Sequence, residues 1–99
     1  MVALMGQHIL ILNVRREYFE QIKAGTKKEE YRRVTHFWIS RISYKKDLLR
    51  GIEIRCGYPK PGDKNRIITF PWNGYEIKEI QHDEFGRNPT CIFAIKLEA

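Results

Sequence analysis

Cysteine is scarce in this chain, and the two present, Cys56 and Cys91, lie far apart without a C-x-x-C pair. Such spacing builds neither a zinc site nor a dithiol redox motif, and it predicts reduced thiols in a cytoplasmic protein. No stretch approaches the roughly 18 consecutive apolar residues of a membrane span. The run from Ile9 to Leu12 is too short for the core of a secretory signal, and no small-residue cleavage site follows it. Internal repeats, low-complexity tracts and long basic amphipathic helices are missing too, which sets aside solenoids, disordered tails and membrane-surface anchors. His8, His36 and His82 have no metal spacing. The cluster His82-Asp83-Glu84 has ligand-type side chains but sits in a single loop, so neither a metal nor a cofactor is expected.

What is present suits one domain, since 99 residues with 42% hydrophobic and 30% charged composition can bury one core but not two. The formal net charge is +6, and most lysines and arginines fall between residues 15 and 66. That bias points to an anionic partner, nucleic acid or nucleotide ahead of a membrane surface. Lys45, Lys46, Arg50, Arg55, Lys60, Lys64 and Arg66 are candidates for phosphate contacts.

Periodicity divides the chain into short elements. His8 to Val14 is a nearly continuous apolar run that reads as a buried strand. Tyr18, Phe19 and Ile22 have helical spacing within Arg15 to Ala24, with Asn13 as candidate N-cap and Gly25 as the stop. Thr26 to Val34 is a charged strand, and His36 to Ser43 a short helix capped by Thr35. Tyr44 to Arg50 is a polar connection anchored by Leu48 and Leu49. Ile52 to Tyr58 alternates as a half-buried strand, and Pro59 to Asp63 is a turn. Asn73-Gly74 predicts a tight hairpin between strands Arg66 to Trp72 and Tyr75 to His82, with Trp72 facing Tyr75. After a loop from Asp83 to Pro89, Cys91 to Leu97 reads as a central strand. Five to six strands and one or two short helices make a small α+β domain whose sheet curls toward a barrel.

The densest charge lies in Gly25-Thr26-Lys27-Lys28-Glu29-Glu30-Tyr31-Arg32, where a strand should enter the core. Charge in that position needs a partner or a purpose. Strand parity puts Glu30 and Arg32 on one face and Glu29 and Tyr31 on the other. Lys27 can join Glu30 only if it still belongs to the turn after Gly25. Arg32 would then orient the Glu30 carboxylate, and Lys27 would offer positive charge to a carbonyl oxygen or phosphate. Lys28 and Glu29 read as edge-strand charges that discourage aggregation. Among the aromatics, most of which belong to a core, Tyr58 and Trp38 are the candidates for stacking on bases, with Arg41 beside Trp38.

The pattern Gly25-x-Lys27-x-x-Glu30-x-Arg32, following a strand and a short helix, resembles the signature of the ASCH domain, within the PUA-like superfamily of small β-barrels flanked by helices. Tyr18-Phe19-x-x-Ile22-x-x-Gly25 and Gly57-Tyr58 resemble features of small stand-alone bacterial and phage members. The resemblance covers most of the chain and implies an RNA-related role, with the motif lining a cleft beside the barrel. Some relatives are amidohydrolases acting on acetylated cytidine, and others are ribonucleases. In the amidohydrolase branch the lysine matching Lys27 is catalytic, and a threonine stands where this chain has Glu30. Glu76 and Glu79 are the acids considered for that branch's downstream glutamate.

Two readings from different classes follow. One is a binding module that holds RNA or a modified nucleoside against Lys27, Glu30, Arg32, Tyr58, Trp38 and Arg41. The other is an enzyme in which Glu30 moves a proton while Lys27 steadies an oxyanion. A protein-interaction domain, with the charged strand pairing only internally, is the third.

Overall fold

The apolar run His8–Val14 does form a strand, β1, but only alternate residues of it are covered. The computed structural model describes residues 8–82, 86 and 88–98. Leu10, Leu12 and Val14 enter the core, whereas Ile9 and Ile11 stand 48% and 41% exposed. The expectation of a fully buried strand is thus corrected: β1 is the edge of a three-stranded sheet, covered on one face only. It runs parallel to β3 (Leu49–Cys56), which pairs antiparallel with β4 (Ile67–Pro71). Parallel neighbours need a long crossover, and here the crossover carries the helices and the charged strand.

Helix α1 spans Arg16–Ala24 and buries Phe19 and Ile22. Its N-cap position is Arg15, without a side-chain cap, so Asn13 does not cap it. Asn13 is the penultimate residue of β1, where its backbone carbonyl serves a different donor. Gly25 closes the helix at φ 82°, and its neighbours Thr26 and Lys27 both donate backbone N–H groups to Gln21 O. The charged strand β2 is only Glu29–Arg33, which leaves Lys27 in the turn. A single helical turn, α2 (His36–Trp38), then continues as a π-helical segment, Ile39–Ser43. Thr35 caps it, accepting from Trp38 N–H at 3.4 Å. Leu49 is not part of a polar connection: it opens β3 and is buried, while Leu48 remains exposed.

The second sheet has the order β2-β6-β5, with β5 at Tyr75–Ile80 and β6 at Thr90–Lys96, antiparallel throughout. As expected, β6 is central, and Ile92, Phe93, Ala94 and Ile95 are all buried. The Asn73-Gly74 hairpin is overturned. β4 pairs with β3 and β5 with β6, so the dipeptide carries the chain from one sheet to the other. Gly74 has the positive φ of a turn glycine at 88°, and Asn73 Nδ2 donates to Glu98 O at 2.9 Å. Turn chemistry fixed the local backbone but said nothing about the ladder partner. The Trp72 and Tyr75 rings meet at 6.2 Å, tilted by 44°, across this crossover.

The described residues thus form six strands in two sheets with two short helices, around a core that includes Leu12, Ile42, Ile54, Phe93 and Ile95. No ladder joins the two sheets into a closed barrel among these residues. No helix among the described residues is long and apolar enough to cross a membrane. Most of the loop expected at Asp83 to Pro89, with Asp83 and Glu84 of the histidine cluster, lies outside the described residues.

Candidate functional site

β1 and β2 are edge strands of different sheets, and the space between them is a cleft of about 670 Å³. Its floor follows from the pleat of β2. Glu30 points inward and is the one buried charged residue among those described, at 6% exposure. A carboxylate withdrawn from water needs paired cations, and two neighbours supply them. Lys27 Nζ lies 3.5 Å from Oε1, and Arg32 Nη1 forms a close ion pair with Oε2. Parity and the turn glycine therefore assemble this trio as the sequence predicts.

Arg32 is more than a counter-charge. Nη1 also donates to Tyr31 O at 2.8 Å, and Nη2 donates to Asn13 O at 3.0 Å on β1, so the guanidinium ties the two sheet edges together. Its carbon lies 5.2 Å from the Trp38 ring centroid. Lys27 is flanked by rings as well, with Nζ at 5.3 Å from the Tyr18 centroid and 5.0 Å from that of Tyr31. Cation–π contact of this kind orients an ammonium without consuming its hydrogen-bond donors.

The outer face of β2 carries a second network. The Tyr31 hydroxyl donates to Glu29 Oε1 at 3.2 Å, and Lys78 Nζ reaches both Glu29 oxygens at 3.1 and 3.0 Å. Burial and the adjacent Glu29 charge raise the Tyr31 pKa above 10.0. The hydrogen bond to Glu29 raises that of Lys78 above 10.5. Glu29 thus does more than guard an edge: it fixes the ring that flanks Lys27.

Above the floor, Arg41 lies on the Phe37 ring, 3.5 Å from its centroid, and donates to Phe37 O at 3.2 Å. Phe37 meets Trp38 edge-on at 4.9 Å. The result is a chain of contacts in which two rings, Phe37 and Trp38, lie between two cations, Arg41 and Arg32. Tyr58 stands at the rim, 89% exposed. All six residues singled out in the sequence, Lys27, Glu30, Arg32, Tyr58, Trp38 and Arg41, line this one cleft.

Sequence reasoning missed Tyr18, Tyr31, Phe37, Arg15, Arg33 and His82, which line it too. The Phe37–Arg41 stack had a legible signal in its i,i+4 spacing. Tyr18 and Tyr31 had none, because their rings meet Lys27 only once α1 packs beside β2. The basic residues read as candidates for phosphate contacts lie elsewhere. Lys45, Lys46, Arg50, Arg55, Lys60, Lys64 and Arg66 do not line the cleft, and Arg55 and Arg66 are paired with Glu53 and Asp63. Glu76 and Glu79 are also outside it, Glu76 lying 3.9 Å from both Lys78 and Lys96. Among the described residues no group of three or more histidine, cysteine, aspartate or glutamate side chains could hold a metal ion.

Chemically, the cleft combines stackable walls with a strong charge bias. Among the described residues that line it, Arg15, Lys27, Arg32, Arg33 and Arg41 stand against one carboxylate, Glu30. Within that set the floor is largely compensated, and the arginines of positions 15, 33 and 41 are solvent-exposed at the mouth. No protein-family model matches this chain, and no curated protein or solved structure is significantly similar to it.

Proposed function

We propose that this protein is an ASCH-like module of the PUA-like superfamily that binds RNA, or a modified nucleoside, in the cleft built on Lys27, Glu30 and Arg32. The observation that carries the reading is the five-to-one excess of cations over carboxylates among the described residues of a cleft also walled by Tyr18, Tyr31, Phe37, Trp38 and Tyr58. Phosphate recognition needs the first and base stacking the second. The motif resemblance supports the same reading. The six strands and two short helices are compatible with a small curled barrel of that superfamily.

In this reading Arg15, Arg33 and Arg41 contact phosphates, while Trp38 and Tyr58 offer faces to bases. Lys27 directs its donors at a carbonyl or phosphate oxygen. Glu30 and Arg32 hold the floor in shape. The test is a titration of short RNAs and modified nucleosides against the wild type, Lys27→Ala and Arg32→Ala. Loss of one cation contact should weaken binding about ten-fold and reduce its salt dependence. If neither substitution changes any RNA or nucleoside affinity, the cleft is structural and the protein-interaction reading takes its place.

One observation favours a second reading. A buried carboxylate beside a lysine in a cleft is a recurrent hydrolase arrangement, and Glu30 with Lys27 could serve an amidohydrolase or a ribonuclease. Binding remains the better supported, since each Glu30 oxygen already faces a cation. Product formation that Glu30→Gln abolishes, with binding retained, would reverse that order.

A further inference from the structure

The cleft does not end at Lys27. A second hollow of about 480 Å³ opens on the far side of that side chain and shares Tyr18, Lys27, Tyr31 and His82 with the first. Gln21 and Thr26, at the end of α1, give it a neutral polar wall. Its other side is formed by Lys28 and Lys96, which the ladder holds close together. Glu29 is the register partner of Lys96, and Leu97 N–H donates to Lys28 O at 2.9 Å. Glu29, which also lines the hollow, has its charge answered by Lys78 at 3.0 Å. Glu98 is the remaining carboxylate there.

We infer that the two hollows are consecutive subsites of one groove, and that its ligand is a single-stranded oligonucleotide rather than an isolated nucleoside. The inference rests on the nucleic-acid reading above and specifies the ligand. A lone nucleoside would occupy one side of Lys27 and reach neither Lys28 nor Lys96, the latter 3.9 Å from Glu76. A strand uses both sides. Its first nucleotide lies by Trp38 with phosphate at the arginine mouth, and the linking phosphate crosses Lys27, whose ammonium the two tyrosine rings hold in place. The next base then sits by the polar wall of Gln21 and Thr26, and the backbone leaves past Lys28 and Lys96. A basic groove that also presents aromatic faces is the arrangement by which proteins hold single strands. The second hollow has a mixed charge balance, which suits a base and sugar with a phosphate at the edge. The first, with its excess of arginine, suits the phosphates.

The experiment is a length series measured by fluorescence anisotropy or calorimetry: a mononucleotide, a dinucleotide and a tetranucleotide of RNA, on the wild type and on Lys28→Ala/Lys96→Ala. Lys28 is exposed and Lys96 half-buried with its ammonium near Glu76 on the surface, so the double variant should keep its fold, which circular dichroism checks. Adding the second nucleotide should raise wild-type affinity at least about ten-fold, the lower range for one stacked base. The double variant should lose about ten-fold on the tetranucleotide and less than two-fold on the mononucleotide. Glu98→Gln should tighten the tetranucleotide selectively. Mononucleotide binding with no gain on lengthening overturns the second subsite and leaves the proposed function standing. Equal losses on both ligands overturn it as well. If no nucleotide or RNA of any length binds, the function reading fails and this inference with it.

Discussion

Arg32 and Glu30 are two residues apart on one strand and form an ion pair on its inward face, which turns a local repeat of charge into a long-range fastening. The same guanidinium that neutralises Glu30 reaches the Asn13 carbonyl of the other sheet. Glu30→Gln removes the charge and leaves Lys27 and Arg32 half-buried without it. The expected cost is about 2–3 kcal/mol, at or just below the range for a fully buried pair because both cations retain some solvent. Urea denaturation of the variant measures this directly. A loss below about 0.5 kcal/mol would mean that the pair is a surface contact in energetic terms.

Arg32→Lys separates charge from geometry. A lysine ammonium retains the attraction to Glu30 but cannot also donate to Tyr31 O and Asn13 O in a fixed planar fork while keeping the guanidinium contact with the Trp38 ring. The variant should be destabilised by about 1–2 kcal/mol, nearer to Arg32→Ala than to wild type. Thermal melts of the three proteins decide it. A lysine variant indistinguishable from wild type would show that charge alone holds the floor.

Alkaline titration probes the outer network. Tyr31 and Lys78 both have raised pKa values in the fold, so the folded state holds their protons more tightly than the unfolded chain does. Their stabilising contribution is complete below the ordinary values of 10.0 and 10.5 and is lost as pH climbs through the raised ones. The denaturation midpoint should fall between roughly pH 9 and 12. Tyr31→Phe should flatten the part of the fall that Tyr31 contributes. An identical pH profile in that variant would assign the whole effect to other groups.

Arg41→Ala tests the mouth of the cleft apart from its floor. The Arg41 side chain is exposed, and its guanidinium lies on the Phe37 ring and donates to the Phe37 carbonyl, so its loss should leave stability within about 0.5 kcal/mol. RNA affinity should drop about three- to ten-fold, and the slope of log affinity against log salt should shrink by about 1. A weakened affinity with an unchanged salt slope would place Arg41 against a base instead of a phosphate.

How far the sequence revealed this site depends on the range of the interaction concerned. Lys27, Glu30 and Arg32 were legible because a turn glycine and two-residue parity are local rules, and both hold here. Ile9 and Ile11 misled because an unbroken apolar run reads as covered on both faces, while β1 in fact lies at a sheet edge. Asn73-Gly74 misled for a related reason: the dipeptide specifies a backbone turn, and the sheet each flanking strand joins is decided by packing elsewhere. The rings of Tyr18 and Tyr31 converge on Lys27 only through the tertiary approach of α1 and β2, which no pattern along the chain encodes.

Glu30 is paired in register with Ile95, sixty-five positions later (95 − 30), and Arg32 with Phe93. The signature octapeptide is therefore not portable. A fragment ending after α2 would contain every motif residue, yet β2 would have no neighbour to pleat against, and the Glu30 side chain would face water instead of a protein interior. Closing so long a loop costs entropy before any contact compensates for it. The cleft thus exists only when both ends of the described chain are in place, and whatever binds there reports on the integrity of the whole molecule.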